Sequence, residues 1–260
     1  MRAPWRRGGP PVPATESKIL GTRVRCYDPG PNGRKPALIY LHGGGWTVFS
    51  INTHDRIMRE YASRAGVSVI GVDYALAPEA KYPVALDQIV GVVKFFAARG
   101  FDLAIGGDSA GANLAIATCI RLRDEGQSQL MQAMILNYGV YERHTSPGAP
   151  EGILTAAEME QFWRNYLRDE SDANDPRVCP LLGDLRGLPR ALLVIAEFDL
   201  LTDQSVKLGR QLEKAGVPAQ VNFYRGATHS FLEAVSISAL ASRAFDESAK
   251  WLRSAIRSDS

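Results

Sequence analysis

Short apolar runs rich in β-branched residues alternate with longer stretches of helical periodicity along most of the chain. Ala37–Leu41, Val67–Val72, Leu103–Ile105, Ala133–Leu136, Leu192–Ala196 and Val221–Tyr224 have the length and continuity of buried strands. His54–Arg64, Leu86–Ala98, Ser109–Arg123, Asp203–Lys214 and Ala234–Ile256 repeat their apolar residues at helical spacing. Gly66, Gly100, Gly126 and Gly216 stand just beyond helix ends, where a left-handed cap is commonly needed. Continuous apolar strands separated by helices predict an α/β protein with a mainly parallel sheet covered on both faces. Thr22–Tyr27, ahead of the turn Asp28–Gly33 and Ala37–Leu41, predicts an antiparallel hairpin at the start of that sheet.

The alternation breaks once. No buried strand is predicted between Tyr138 and Arg190, yet Thr155–Leu167 reads as a helix. Thr155 and Glu158 make the T-x-x-E capping box, with Leu154 and Met159 at the hydrophobic-staple positions. Met159, Phe162, Trp163, Tyr166 and Leu167 fall on one face. An insertion after the carboxyl end of a strand is where covers over binding sites lie in such sheets, so a lid is predicted, against the simpler alternative of a helix packed on the core.

Composition narrows the function classes. With 45% hydrophobic and 22% charged residues among 260, the chain is an ordinary globular domain, not a disordered one. Basic and acidic residues nearly balance at 30 against 28, so no nucleic-acid footprint is expected. No run of apolar residues is long enough to span a membrane. Cys26, Cys119 and Cys179 are too few and too scattered for a disulfide framework or a zinc site, which favours a reducing, cytoplasmic compartment. Met1–Pro13 carries Arg2, Arg6 and Arg7 with four prolines but no apolar stretch after the charges, unlike a secretory signal. The expected layout is a flexible tail over 1–17 and one α/β domain over 18–260, with a cap insertion at about 140–185.

Gly107-Asp108-Ser109-Ala110-Gly111 matches G-x-S-x-G between a predicted strand and a predicted helix. That is the context of a nucleophile elbow, where a sharp turn lifts the serine clear of the sheet and needs small neighbours. Outside that context the pattern would be only a glycine-rich turn. His42-Gly43-Gly44-Gly45-Trp46 follows the strand Ala37–Leu41; consecutive glycines bring backbone N–H groups close to a ligand, as an oxyanion requires. A phosphate loop is the alternative, but no lysine follows at the required spacing. A serine nucleophile needs a base, and the base an orienting acid. Of the four histidines, His42 sits in the glycine loop as a structural group, and His54 and His144 have no strand end beside them. His229 follows the last strand, and Asp199 follows Leu192–Ala196, with Glu197 and Asp203 as rival acids. The order Ser109, Asp199, His229 is that of α/β-hydrolase triads.

With His42–Trp46, Asp73–Glu79, Gly107–Gly111, Asp199–Asp203 and His229–Phe231 in this order, the chain resembles the hormone-sensitive-lipase-like esterases. This α/β-hydrolase fold-3 group includes bacterial acetyl esterases. The resemblance covers about Val24 to Trp251. It implies an α/β-hydrolase fold with a small helical cap, Asp199 as triad acid, and an oxyanion hole formed by the N–H groups of Gly44, Gly45 and Ala110. It also makes Pro78 and Pro83 candidates for cis bonds. No cofactor or metal is implied. The implied reaction is hydrolysis of a small-molecule ester with a short acyl chain. A homodimer through Val221–Tyr224 and Ala234–Ile256 is a candidate assembly. Two positions depart from the family pattern: Ala75 where arginine is usual, and Ser230 where glycine is frequent. Rival readings are an amide or formamide hydrolase (arylformamidase-like) on the same scaffold, and a non-catalytic ligand-binding protein. Receptors of the latter kind lose the triad histidine, which is present here as His229.

Overall fold

A computed structural model describes residues 8–28, 36–146 and 148–256. Eight strands form one sheet: β1 (Ala14–Ile19), β2 (Thr22–Tyr27), β3 (Pro36–Leu41), β4 (Ser68–Asp73), β5 (Asp102–Asp108), β6 (Ala133–Asn137), β7 (Arg190–Phe198) and β8 (Ala219–Thr228). Their spatial order is β1-β2-β4-β3-β5-β6-β7-β8. β1 and β2 pair antiparallel, as do β2 and β4; all pairs from β4 through β3 to β8 are parallel. The helices are α1 (Asp55–Ala65), α2 (Val84–Ala97), α3 (Ala110–Asp124), α4 (Ala156–Tyr166), α5 (Thr202–Lys214) and α6 (Ala239–Ala255).

Period-2 alternation sorts the strand side chains between two cores. Leu38 and Tyr40 of β3 join the core under α1 and α6. Ala37, Ile39 and Leu41 join the other, with α2, α3, α5 and the cap. α3 is buried on nearly every face, as expected of a helix running through the middle of the molecule. The four glycines expected beyond helix ends all take positive φ, and the Ala77-Pro78 and Tyr82-Pro83 bonds are cis.

Three expectations need correction. The hairpin is formed by β1 and β2 around Leu20 and Gly21, and β2 then pairs with β4 rather than β3. Most of the turn at Asp28–Gly33 lies outside the described residues. The expected tail, 1–17, overlaps β1, which begins at Ala14; residues 1–7 lie outside the described residues. β1 escaped the apolar pattern because five of its six residues are exposed, as suits an edge strand protected by charge. The last helix begins at Ala239, not Ala234: the apolar residues Phe231, Leu232 and Val235 belong to a short 3₁₀ turn, Phe231–Ala234, and its exit. Ser238 then caps α6, its Oγ accepting the Ala241 N–H at 3.2 Å.

The segment between β6 and β7 contains α4 and two 3₁₀ turns, with no strand among its described residues. Thr155 and Glu158 form both halves of the capping box. Met159, Trp163 and Tyr166 are buried, and Trp163 and Tyr166 pack on Trp46, whose ring stacks on Tyr166 at 4.3 Å. Burying large apolar side chains contributes roughly 1.5–3 kcal/mol each. Lys81 fastens the far end of α4, donating to the Leu167 carbonyl at 2.6 Å.

Candidate active site

β5 ends at Asp108 and α3 begins at Ala110, which leaves Ser109 alone in the turn with φ 55° and ψ −119°. Residues other than glycine rarely adopt this region, so the turn is strained and holds the serine out from the strand end. The turn closes against β3 because residue 111 lacks a side chain: a Cβ on Gly111 would lie 2.0 Å from the Leu41 carbonyl oxygen.

Ser109 Oγ is 3.1 Å from His229 Nε2, and His229 Nδ1 is 2.8 Å from Asp199 Oδ2. All three residues are buried. They arrive from the carboxyl ends of β5, β7 and β8, so the parallel sheet converts three distant sequence positions into one row. The other Asp199 oxygen accepts the Leu201 N–H at 3.0 Å, which fixes the carboxylate plane. Tyr138 packs edge-on against the imidazole at 5.2 Å. Of the rival acids, Glu197 accepts the Gly226 N–H at 2.8 Å instead. Ser230 has φ 63°, the left-handed region in which glycine is unstrained.

The glycine loop turns over the end of β3. Thr47 and Val48 both donate to the Gly44 carbonyl at 3.0 Å. Gly44 has φ 114°, and a Cβ there would lie 2.2 Å from the Val48 carbonyl oxygen. Ala110 is the first residue of α3, so its N–H has no intrahelical acceptor. Phe162 of α4 lies directly over Gly45 and forms part of the roof. The resulting cavity has a volume of about 200 Å³, with Ser109 and His229 on its floor and Ile153, Leu154 and Phe162 among its walls. A larger cavity of about 460 Å³ between β8 and α6 shares no residue with it and contains neither serine-activating nor oxyanion-binding groups. Among the described residues, no group of three or more His, Cys, Asp or Glu side chains is placed to hold a metal ion.

His42 is buried and stacked on Tyr74 at 4.3 Å, with Nδ1 2.8 Å from the Gly43 carbonyl. Burial, reinforced by nearby His54, pushes its pKa down to about 4. It is thus a neutral structural ring, as expected from the sequence.

The pair missed in the sequence is Asp108 and His54. Asp108 is buried and accepts Tyr40 Oη–H at 2.9 Å and the Gly43 N–H at 3.2 Å. His54 Nε2 lies 3.2 Å from its other oxygen. Burial pushes the Asp108 carboxyl upward, but the charge of His54 and the hydrogen bonds from His54 and Tyr40 outweigh that and hold it below the usual range. One carboxylate therefore ties the glycine loop to the nucleophile elbow. A signal was available: a charged residue at the end of a buried strand needs buried hydrogen-bond donors or an opposite charge, and a histidine is one side chain that can supply either.

The chain can be compared with known proteins on this geometry. Residues 38–233 match a family model described as alpha/beta hydrolase fold. An acetyl esterase of Salmonella paratyphi B is 35% identical over 243 residues, covering 88% of this chain and 75% of its own. A hyperthermophilic esterase of Pyrobaculum calidifontis is 34% identical and superposes with a TM-score of 0.90 over 97% of this chain and 86% of that one. A thermostable carboxylesterase cloned from a metagenomic library is 32% identical, with a TM-score of 0.89 over 99% and 94%. The motifs, the sheet and these likenesses agree, and the chain belongs to the α/β-hydrolase fold-3 family, the hormone-sensitive-lipase-like esterases.

Proposed function

We propose that the protein is a serine carboxylesterase that hydrolyses short-chain acyl esters of small molecules through an acyl-enzyme intermediate. The observation that carries this reading is the continuous hydrogen-bonded row from Ser109 through His229 to Asp199 beneath the glycine loop. Ser109 Oγ attacks the ester carbonyl carbon while His229 Nε2 takes its proton, and Asp199 holds the imidazole in the tautomer that accepts at Nε2 and stabilises the imidazolium. The carbonyl oxygen becomes an oxyanion facing the N–H groups of Gly44, Gly45 and Ala110, each such donor worth roughly 2.7–4 kcal/mol in the transition state. Collapse expels the alcohol, protonated by His229. Water then attacks the acyl-serine with the same histidine as base, releasing the carboxylic acid and restoring Ser109.

A cavity of about 200 Å³ is small for a ligand site and supports acetyl to about hexanoyl esters. Relatives named as acetyl esterases support the same range. All three cysteines are unpaired, which supports a cytoplasmic location, and no helix among the described residues is long and apolar enough to cross a membrane. The test is steady-state hydrolysis of p-nitrophenyl esters from acetate to palmitate by the wild type and Ser109→Ala. The expected result is a short-chain optimum and a loss of about a million-fold in the variant. Equal, slow rates in both proteins would overturn the esterase reading, and turnover of aryl formamides in place of esters would assign an amide hydrolase instead.

A further inference from the structure

Ser230 follows His229 directly and adopts φ 63° and ψ 19°, where a serine is strained and a glycine would not be. Serine is common ahead of a helical turn because its oxygen caps the turn, but Ser230 makes no side-chain cap hydrogen bond to Phe231–Ala234. Its Oγ has no hydrogen-bond partner among the described residues and is not sealed off from solvent. Ser230 lines the cavity over Ser109, and the other ionisable or nucleophilic side chains there are committed. Ser109 and His229 face each other, Asp108 holds Tyr40, Gly43 and His54, and Glu158 holds Thr155. Glu233 has a partner of its own. The Ser230 hydroxyl, held in a strained backbone beside His229, is the one left to meet a ligand.

We propose that Ser230 orients the water that releases the acyl group, its Oγ accepting the hydrogen that His229 does not take. The inference rests on the esterase reading above. The water enters where the alcohol left, on the side of His229 Nε2. Its oxygen bonds to the acyl carbonyl carbon as one of its hydrogens passes to His229 Nε2. The second hydrogen stays on that oxygen and becomes the acid hydrogen of the product, so it needs an acceptor throughout the attack. A serine hydroxyl has two acceptor lone pairs for it. Collapse then breaks the bond to Ser109 Oγ, which takes the proton back from His229. During acylation the same place holds the ester's alcohol oxygen, which carries carbon where the water carries its second hydrogen. Ser230 therefore acts on the water and accepts nothing from the leaving alcohol.

Methanol separates the two roles, because its single O–H goes to His229 and leaves no second hydrogen for Ser230. With p-nitrophenyl acetate in the presence of methanol, one acetyl-enzyme partitions between acetate and methyl acetate, whichever step limits turnover. Ser230→Ala and Ser230→Gly should each raise the ratio of methyl acetate to acetate about tenfold, the worth of one lost hydrogen bond. In stopped flow without methanol, the initial burst of p-nitrophenolate should keep its rate while the steady rate falls about tenfold, so that kcat and KM drop together. Ser230→Gly should also unfold at a temperature no lower than the wild type, since it relieves the left-handed strain. An unchanged product ratio in Ser230→Ala, a shift confined to Ser230→Gly, or a burst that slows as much as the steady rate overturns the inference, while hydrolysis by the wild type still upholds the esterase. A shift that grows from Ser230→Ala to Ser230→Gly in step with the space freed would also overturn it, assigning the effect to room for methanol. If the wild type releases p-nitrophenolate no faster than Ser109→Ala, the esterase reading fails, and the role of Ser230 fails with it.

Discussion

Two buried histidine–aspartate pairs flank Ser109, and they are wired differently. His229 meets Asp199 through Nδ1 and presents Nε2 to Ser109. His54 meets Asp108 through Nε2 and presents Nδ1 to Thr53 Oγ1 at 2.8 Å. That hydroxyl is already engaged with Ser50, accepting its N–H at 3.0 Å and donating to its carbonyl at 2.7 Å. His229 of the first pair lines the cavity, whereas of the second pair it is the aspartate, Asp108, that lines it, and His54 and Thr53 do not. On the proposed mechanism the same two residue types make a proton carrier in one place and a clamp in the other. What decides is the group on the far ring nitrogen and its access to substrate.

The sharpest way to break the comparison is to neutralise each carboxylate. Asp199→Asn leaves the acid's shape but lets the imidazole take the wrong tautomer, and kcat for p-nitrophenyl acetate should fall about 10⁴-fold. Asp108→Asn removes a buried charge from its partner, which should cost about 3–5 kcal/mol of stability in urea denaturation. Through Gly43 it also loosens the glycine loop, and if that loop binds the oxyanion as proposed a loss of about 10²–10³ in kcat is expected. Rates are to be compared per active site, counted by stoichiometric phosphonylation of Ser109. If Asp108→Asn loses as much as Asp199→Asn on that basis, the two pairs are not divided as carrier and clamp.

The difference between the pairs also explains what the sequence revealed. Ser109, Asp199 and His229 each follow a strand that announces itself by apolar residues, so their convergence at one sheet edge was legible from chain order alone. His54 was not: it precedes α1 in a loop, and nothing local connects it with a carboxylate 54 positions later. That contact exists because β3 and β5 are neighbours in the sheet, a pairing that no local pattern encodes. The edge strand β1 was hidden for the opposite reason. It is largely exposed, so its side chains are mostly polar and the apolar rhythm that marked the other strands is missing. The assignment of Thr155–Leu167 as a helix was secure because its capping box and apolar face are entirely local.

A third histidine shows the cost of burial without a carboxylate. His42 Nε2 has no hydrogen-bond partner among the described residues, and its ring stays neutral down to about pH 4. An unfolded histidine takes up its proton near pH 6.5. As pH falls from 6.5 towards 4, the unfolded state binds the proton first and the native state loses stability. The full difference corresponds to about 3 kcal/mol. Urea denaturation at pH 7 and pH 4.5 should show this loss in the wild type and a smaller one in His42→Gln. Identical pH slopes in the two proteins would show that His42 is not the group responsible.

The smallest expected effect concerns the cap, whose attachment is separate from either pair. Thr155 accepts the Glu158 N–H at 3.2 Å and donates to the Glu158 carboxylate at 2.9 Å, so Thr155→Ala should cost about 1 kcal/mol. If the cap is a local unit, that loss appears as faster amide exchange in α4, while α3 beneath Ser109 keeps its protection. Acetate hydrolysis should then show a raised KM with little change in kcat, because Glu158 and Phe162 form the wall and roof rather than the reacting row. Trp163 and Tyr166 argue for the other outcome, since they bind α4 to Trp46 of the glycine loop. Should exchange accelerate equally in α3 and α4, and kcat fall with the cap, those rings would be coupling the roof to the oxyanion loop, and the boundary between clamp and cap would have to be drawn beyond α4.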